Sequence, residues 1–206
     1  HRPDAFFEDL FWAVLSRFRE RGQLGGKHHK FRFKNKLLSF DSTTISLCLS
    51  LFPWASFRRA KGGVKAHVLL DHADYMPSFV HISKARIHDA RALALLRLNA
   101  GSIVALDRAY VDYVHFARWT EQRIWFVTRM KEGTVYEVVE MRDVPRHRNI
   151  LSDEIIRLSG PGAQAKCPHL LRRIVVWDEE QEREIVLLTN HMDFGATTIA
   201  AIYKER

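Results

Sequence analysis

Apolar positions first recur at helical spacing, where Phe7, Leu10, Phe11, Val14, Leu15 and Phe18 predict an amphipathic helix from Asp4 to about Arg21. Gly22, Gly25 and Gly26 end it. Leu37 to Phe40 then leads as a strand into Asp41-Ser42-Thr43-Thr44. Two further strands, about Gly63 to Asp71 and about Pro77 to Lys84, flank a turn containing Asp74. Together they predict a three-stranded antiparallel meander. Ile87 to Leu98 alternates at helical period, with Asp89 in the first turn, where the helix dipole favours an acid. Ser102 to Leu106 is a short continuous apolar run ending in Asp107, the pattern of a buried parallel strand. Asp112 to Gln122 returns to helix, and Ile124 to Thr128 is a second buried strand.

The pattern then changes. From Thr134 to about Thr189 the chain reads as mainly β, with alternation over Val135 to Val139. A hairpin is expected between Arg173–Trp177 and Glu184–Leu188, turning over Asp178 to Gln181. Ser159 to Pro168, with two Pro and two Gly, reads as a loop. A last helix begins near Thr197 and shows no cap or stop signal before Arg206. The expected organisation is an N-terminal helix and basic linker over 1–36, an α/β core over 37–130, a β-rich insertion over 131–192, and the truncated start of a final helix over 193–206.

Composition narrows the class. The 206 residues are 47% hydrophobic and carry no apolar run long enough to span a bilayer. Neither a signal nor a transit peptide is read at His1 to Asp4. Cys48 and Cys167 are too few for a disulfide scaffold and wrongly spaced for zinc, so both are expected reduced in an intracellular protein. Thirty-two Lys and Arg against 24 Asp and Glu give a net charge of +8, which favours a polyanionic partner. Lys27 to Lys36, where cations interleave with His and Phe, reads either as a solvated linker or as a contact to a nucleic-acid backbone. Trp54, after Pro53 and near Arg58 and Arg59, is a candidate for stacking on DNA. None of the 11 His forms a zinc pair, and His67, His72, His81 and His88 read as strand and turn residues.

Three strands, a helix, a strand, a helix and a strand is an element order that resembles the RNase-H-like fold. In that arrangement the first strand lies parallel beside the fourth. Asp41 and Asp107 each follow an apolar strand and would project at the same end of the sheet. Neighbouring strands are about 4.8 Å apart, so two carboxylates there could share divalent ions. Phosphoryl transfer suits two ions roughly 3.5–4 Å apart, and hard oxygen ligands select Mg2+ or Mn2+. For either Asp alone, a loop cap is the competing reading. Asp71, ending the second strand, is the acid most easily mistaken for a ligand.

The words Phe40-Asp41-Ser42-Thr43-Thr44, Lys61-Gly62-Gly63-Val64-Lys65-Ala66-His67, Pro77-Ser78-Phe79-Val80, His88-Asp89 and Leu106-Asp107-Arg108-Ala109-Tyr110, taken in order, resemble the DDE transposases of bacterial insertion sequences. The resemblance runs from about Leu37 to Arg206. The subgroup it approaches carries Tyr-x-x-Arg-x-x-x-Glu-x6-Lys on a helix after a Thr-Asn at a strand end. Thr189-Asn190 and Tyr203-Lys204-Glu205-Arg206 match its opening. That subgroup also inserts a mostly β region before the helix, where this sequence turns β.

What the resemblance implies is an enzyme that cuts a phosphodiester with metal-activated water, then directs the freed 3′-OH onto target DNA. Asp41 and Asp107 would be the first two metal ligands, with Mg2+ or Mn2+ as cofactor. Lys61, Lys65, His67, Arg108, Tyr203 and Arg206 would meet double-stranded DNA at transposon ends and target. The catalytic Glu is expected about four residues beyond Arg206, so the chain alone is expected to be inactive. Glu205 falls on a variable position, and Ala109 stands where Gly is usual. The active form would be a homodimer in the bacterial cytoplasm, associated with the nucleoid and not with a membrane. A related metal nuclease without strand transfer, or a non-catalytic DNA-binding remnant, are the alternatives.

Overall fold

A computed structural model of the chain describes residues 4–21, 31–48, 56–58, 61–146 and 148–206. In chain order the elements are α1 (Asp4–Glu20), β1 (Leu37–Leu47), β2 (Ser56–Arg58), β3 (Lys61–Asp71), β4 (Met76–Lys84), α2 (Ala90–Leu93), β5 (Ile103–Leu106), a 3-10 turn (Arg108–Tyr110), α3 (Tyr113–Glu121), β6 (Trp125–Arg129), β7 (Tyr136–Met141), β8 (Ile150–Leu158), α4 (Pro161–Lys166), β9 (Leu171–Asp178), β10 (Arg183–Thr189) and α5 (Ala196–Lys204). The expected meander is present: β1 pairs β3, and β3 pairs β4, both antiparallel. β5 lies parallel beside β1, and β6 parallel beside β5. That gives the order β4-β3-β1-β5-β6, the RNase-H-like arrangement read from the element order. β10 then pairs antiparallel with β6 and carries β9, β8 and β7 outward, so all ten strands form one mixed sheet.

Each face of the sheet is covered by helices, as the apolar runs of β5 and β6 require. Leu38, Phe40, Val104, Leu106 and Phe126 pack with Leu93 of α2 and with Phe116 and Trp119 of α3. On the other face Leu37, Ile103, Ala105 and Val127 pack with Ala196, Ile199 and Ile202 of α5. Asp112 starts α3 by accepting from the N–H groups of Val114 and His115, the arrangement of an N-cap.

Four expectations change. The helix expected over Ile87–Leu98 shortens to α2, because its tail closes in tighter turns: Leu95 N–H reaches Ala92 O and Leu96 N–H reaches Leu93 O. The expected loop Ser159–Pro168 contains α4, since Pro161 at the first helical position pre-sets φ and forfeits no needed donor. β1 runs on through Asp41 to Leu47, held by β3 along its whole length. In α1, formed as expected, only Leu15 is buried, and Phe7, Leu10, Phe11, Val14 and Phe18 stay exposed. Gly22, Gly25, Gly26 and the Lys27–Lys30 part of the basic stretch lie outside the described residues, as do Pro53, Trp54 and Arg59. Among the described residues no helix is long and apolar enough to cross a membrane. Cys167 is fully buried, which pushes its thiol pKa up, whereas Cys48 is exposed.

Candidate active site

Strand alternation decides where the two carboxylates go. Leu38, Phe40, Val104 and Leu106 belong to the α2–α3 face, and Leu37, Ile103 and Ala105 to the α5 face. Successive side chains point to opposite sides, so Asp41 and Asp107 continue the α5 face. Phe40 and Leu106 are the last parallel pair of β1 and β5, and each Asp follows directly. The two acids therefore stand on the same face just past the point where the parallel pairing of β1 and β5 ends, on strands that neighbour at about 4.8 Å. Asp107 caps the 3-10 turn by accepting from the Arg108 N–H, which ends β5 at that point. Asp41 is exposed; its carboxylate accepts from the Ser42 N–H at 2.8 Å and from the Arg206 guanidinium at 3.3 Å.

The end of α5 closes over this pair. The Arg206 guanidinium lies 5.3 Å from the centre of the Tyr203 ring. Burial raises the pKa of the Tyr203 hydroxyl, with Arg206 lowering and Asp107 raising it in turn, so the phenol stays protonated beside the acids. Two devices place α5. Thr189 and Asn190, at the end of β10, tie its approach to β6: Asn190 Oδ1 accepts from the Phe126 N–H at 2.9 Å, and its amide donates to Ile124 O and Thr120 Oγ1. Thr189 donates to Phe126 O. Buried Arg172 holds the next segment, pairing bidentately with Asp153 at 2.7 and 2.6 Å and donating to the carbonyls of His191, Met192 and Phe194.

On the opposite face a polar network backs the acids. Lys65 Nζ lies 2.9 Å from Asp89 Oδ1, to which Ser42 Oγ donates at 3.3 Å. Tyr110 is in hydrogen-bonding contact with Ser42, and its hydroxyl is 3.2 Å from His67 Nδ1. His67 Nε2 in turn meets Ser83 Oγ at 2.9 Å. Burial drives the Tyr110 pKa up and the His67 pKa down, so both are neutral hydrogen-bonding partners. Ser42 follows Asp41 and Tyr110 lies one 3-10 turn past Asp107, so the network joins the two backbone segments that carry the acids.

The expected residues thus divide. Asp41, Asp107, Tyr203 and Arg206 come together on one face. Lys65 and His67 lie behind it, engaged with Asp89, Tyr110 and Ser83, and His67 is only 1% exposed. Arg108 is exposed and pairs with Glu132 at 2.6 Å. Lys61 starts β3. Asp71 caps the turn at Ala73 and pairs with Lys36 at 2.8 Å, a structural place. Glu205 lines a separate groove that His72 and Lys34 also line, and among the described residues no three His, Cys, Asp or Glu side chains gather in a metal-holding group. Two hard carboxylates with open flanks fit part of a Mg2+ or Mn2+ shell. Sequence reading gave Ser42, Asp89 and Tyr110 no role in the site; the only signal was their place in the words Phe40-Asp41-Ser42-Thr43-Thr44, His88-Asp89 and Leu106-Asp107-Arg108-Ala109-Tyr110.

A family model described as Transposase DDE domain matches residues 32–206. A protein of Sinorhizobium fredii named as a transposase is 29% identical over 209 residues, covering 100% of this chain and 56% of that protein. One of Geobacillus stearothermophilus, named as a transposase for an insertion sequence element, is 29% identical over 176 residues, covering 85% of this chain and 46% of its own length. The chain therefore spans about half the length of the curated relatives it matches. Among solved structures, the NurA nuclease from Sulfolobus solfataricus aligns with a TM-score of 0.39 at 8% identity, over 98% of this chain and 85% of the nuclease. Endonuclease V from Ciona intestinalis, in complex with DNA, aligns at 0.36 and 12%, over 98% and 88%.

Proposed function

The chain belongs to the Transposase DDE domain family, and from that premise we propose that it forms the catalytic region of an insertion-sequence transposase that cleaves and joins DNA. The observation that carries the reading is the pair Asp41 and Asp107, aligned where the parallel pairing of β1 and β5 ends, beside Tyr203 and Arg206. Asp41 and Asp107 would hold Mg2+ or Mn2+, which supplies Lewis acidity to activate water and offset charge on the phosphate. Arg206 exchanges Asp41 for the scissile phosphate, a charge-assisted contact for which a guanidinium is well shaped. Tyr203, kept protonated by burial, donates its hydroxyl proton in a hydrogen bond to a phosphate oxygen. Arg108 and Lys61 contact the flanking DNA backbone, with Lys65 and His67 supporting from behind. The third acid belongs one turn beyond Arg206, because residues three and four apart share a helix face. Strand transfer proceeds in a homodimer bound to paired ends, in the nucleoid of a bacterial cytoplasm.

The test begins with calorimetric titration of Mn2+. The present chain is expected to bind weakly, and Asp41→Ala or Asp107→Ala to remove the binding. A chain extended through the helix should cut labelled insertion-sequence-end DNA, and Asp41→Ala should abolish the cut. Cutting without joined product would favour the nuclease alternative, and failure to bind Mn2+ in either length would favour the non-catalytic one. Robust cleavage by the present chain that vanishes with Glu205→Ala would show the third ligand to be misplaced.

A further inference from the structure

Beside the end of α5 lies a groove of about 610 Å3, bounded by the segment 31–36, the turn after β3 and Glu205. The segment alternates. Phe31 and Phe33 turn inward, their rings stacked at 4.9 Å, with Phe33 4.9 Å from Phe194, and Asn35 donates to Gly101 O at 2.7 Å. Arg32, Lys34 and Lys36 are exposed. Lys36 is matched by Asp71, whereas among the described residues no acid pairs with Arg32 or Lys34. The aromatic side is thus stapled to the core beneath α5, and the cationic side is presented to solvent.

Across the groove stands Tyr75. Its φ of 55° places a bulky aromatic in the left-handed region, which strains the backbone there. The turn enforces it: Asp71 accepts from the Ala73 N–H, and Asp74 accepts from the Met76 N–H while pairing with Arg19. The Tyr75 ring is 49% exposed and 5.5 Å from the His72 ring, which is itself fixed by Ser39 at 2.7 Å. Ser39 precedes Asp41 by two residues on the same face, so the groove leads toward the acids.

We propose that this groove holds an unpaired stretch of DNA, with phosphates on Arg32 and Lys34 and a base stacked on Tyr75. The inference rests on the transposase reading for its choice of DNA. Bases in a duplex already stack on each other, so an exposed aromatic face set among cations serves a single strand. The strained turn holds the ring out where a base reaches it.

The test is fluorescence polarisation with a labelled oligothymidylate and, separately, a duplex of the same length. Tyr75→Ala should weaken oligothymidylate binding by about five-fold or more, and Tyr75→Phe should keep it. Tyr75→Gly should lose binding while raising thermal stability, because glycine accepts the positive φ without strain. Arg32→Ala with Lys34→Ala should flatten the dependence of log K on log salt for the single strand. Equal oligothymidylate affinity in wild type and Tyr75→Ala, or an equal loss of duplex binding in Tyr75→Ala, would overturn the proposal. Loss of Asp41-dependent Mn2+ binding would instead sink the cleavage mechanism and leave these affinities unchanged, so the two readings fail separately.

Discussion

Tyr110 links both acid-bearing segments, its N–H donating to Asp107 O at 3.0 Å. Its hydroxyl reaches Ser42, next to Asp41, and His67 on β3, while its backbone belongs to the turn that Asp107 caps. Tyr110→Phe keeps the ring in the core and removes only that hydroxyl, leaving buried His67 Nδ1 short of a partner. The expected cost is about 1–3 kcal/mol of stability. If the network sets the spacing of the acids, Mn2+ affinity should also fall several-fold, with the fold intact by circular dichroism. Unchanged Mn2+ affinity beside the stability loss would confine Tyr110 to a packing role. Asp89 shows the same logic from the other side: a carboxylate at a helix start is committed to Lys65 and Ser42, so it makes no cap.

Among the elements, α5 decides whether a site exists, since it brings Tyr203 and Arg206 over Asp41 and Asp107. Its own apolar positions bury only Ala196, Ile199 and Ile202, so its placement depends on what precedes it. Asn190 fills that need with three hydrogen bonds, two of them to otherwise unpaired backbone groups at the start of β6. Asn190→Ala should cost about 2–4 kcal/mol, from lost bonds and the orphaned Phe126 N–H and Ile124 C=O. Hydrogen exchange would report it: the amide of Phe126 and those of α5 should lose protection more than those of β3. Uniform loss across the sheet would contradict a local latch. The strands β7 to β10 matter here too, because β10 ends in Thr189-Asn190 and β8 and β9 supply Asp153 and Arg172.

For the molecule as a whole, buried imidazoles set how stability depends on pH. His67, His72 and His191 each titrate below the usual 6.5, with burial the largest cause in all three. The folded state therefore resists protonation that the unfolded chain accepts. Below 6.5 the unfolded state binds more protons, so their contribution is whole above that value and is lost as pH falls through it. The urea midpoint should drop between about pH 7.5 and about pH 5.5, and Arg172, which further disfavours charge on His191, steepens the effect. A midpoint that rises on acidification would reverse the assignment.

What the sequence determined by itself was local periodicity. Alternation and apolar runs marked the strands of the meander, β5 and β6, and the turn residues marked the hairpin of β9 and β10. Asp41 and Asp107 stood out because each follows a short, mostly apolar run, and Tyr203 and Arg206 only through the resemblance of Tyr203-Lys204-Glu205-Arg206 to a family word. Weak helices were misjudged: α2 has too few apolar positions to outweigh the tighter turns that bury Leu93 and Leu96, and α4 was concealed by the Pro and Gly that begin it. Only the tertiary structure decided that β7 to β10 extend the same sheet, since strand pairing between β6 and β10 joins residues some sixty positions apart and leaves no local trace. It alone also sent Lys65 and His67 behind the acids, because period two fixes a residue's face only once the neighbour that covers that face is known. The partnership of Ser42, Asp89, Tyr110 and His67 depends on that same burial, and burial is a property of the assembled sheet, not of any one strand.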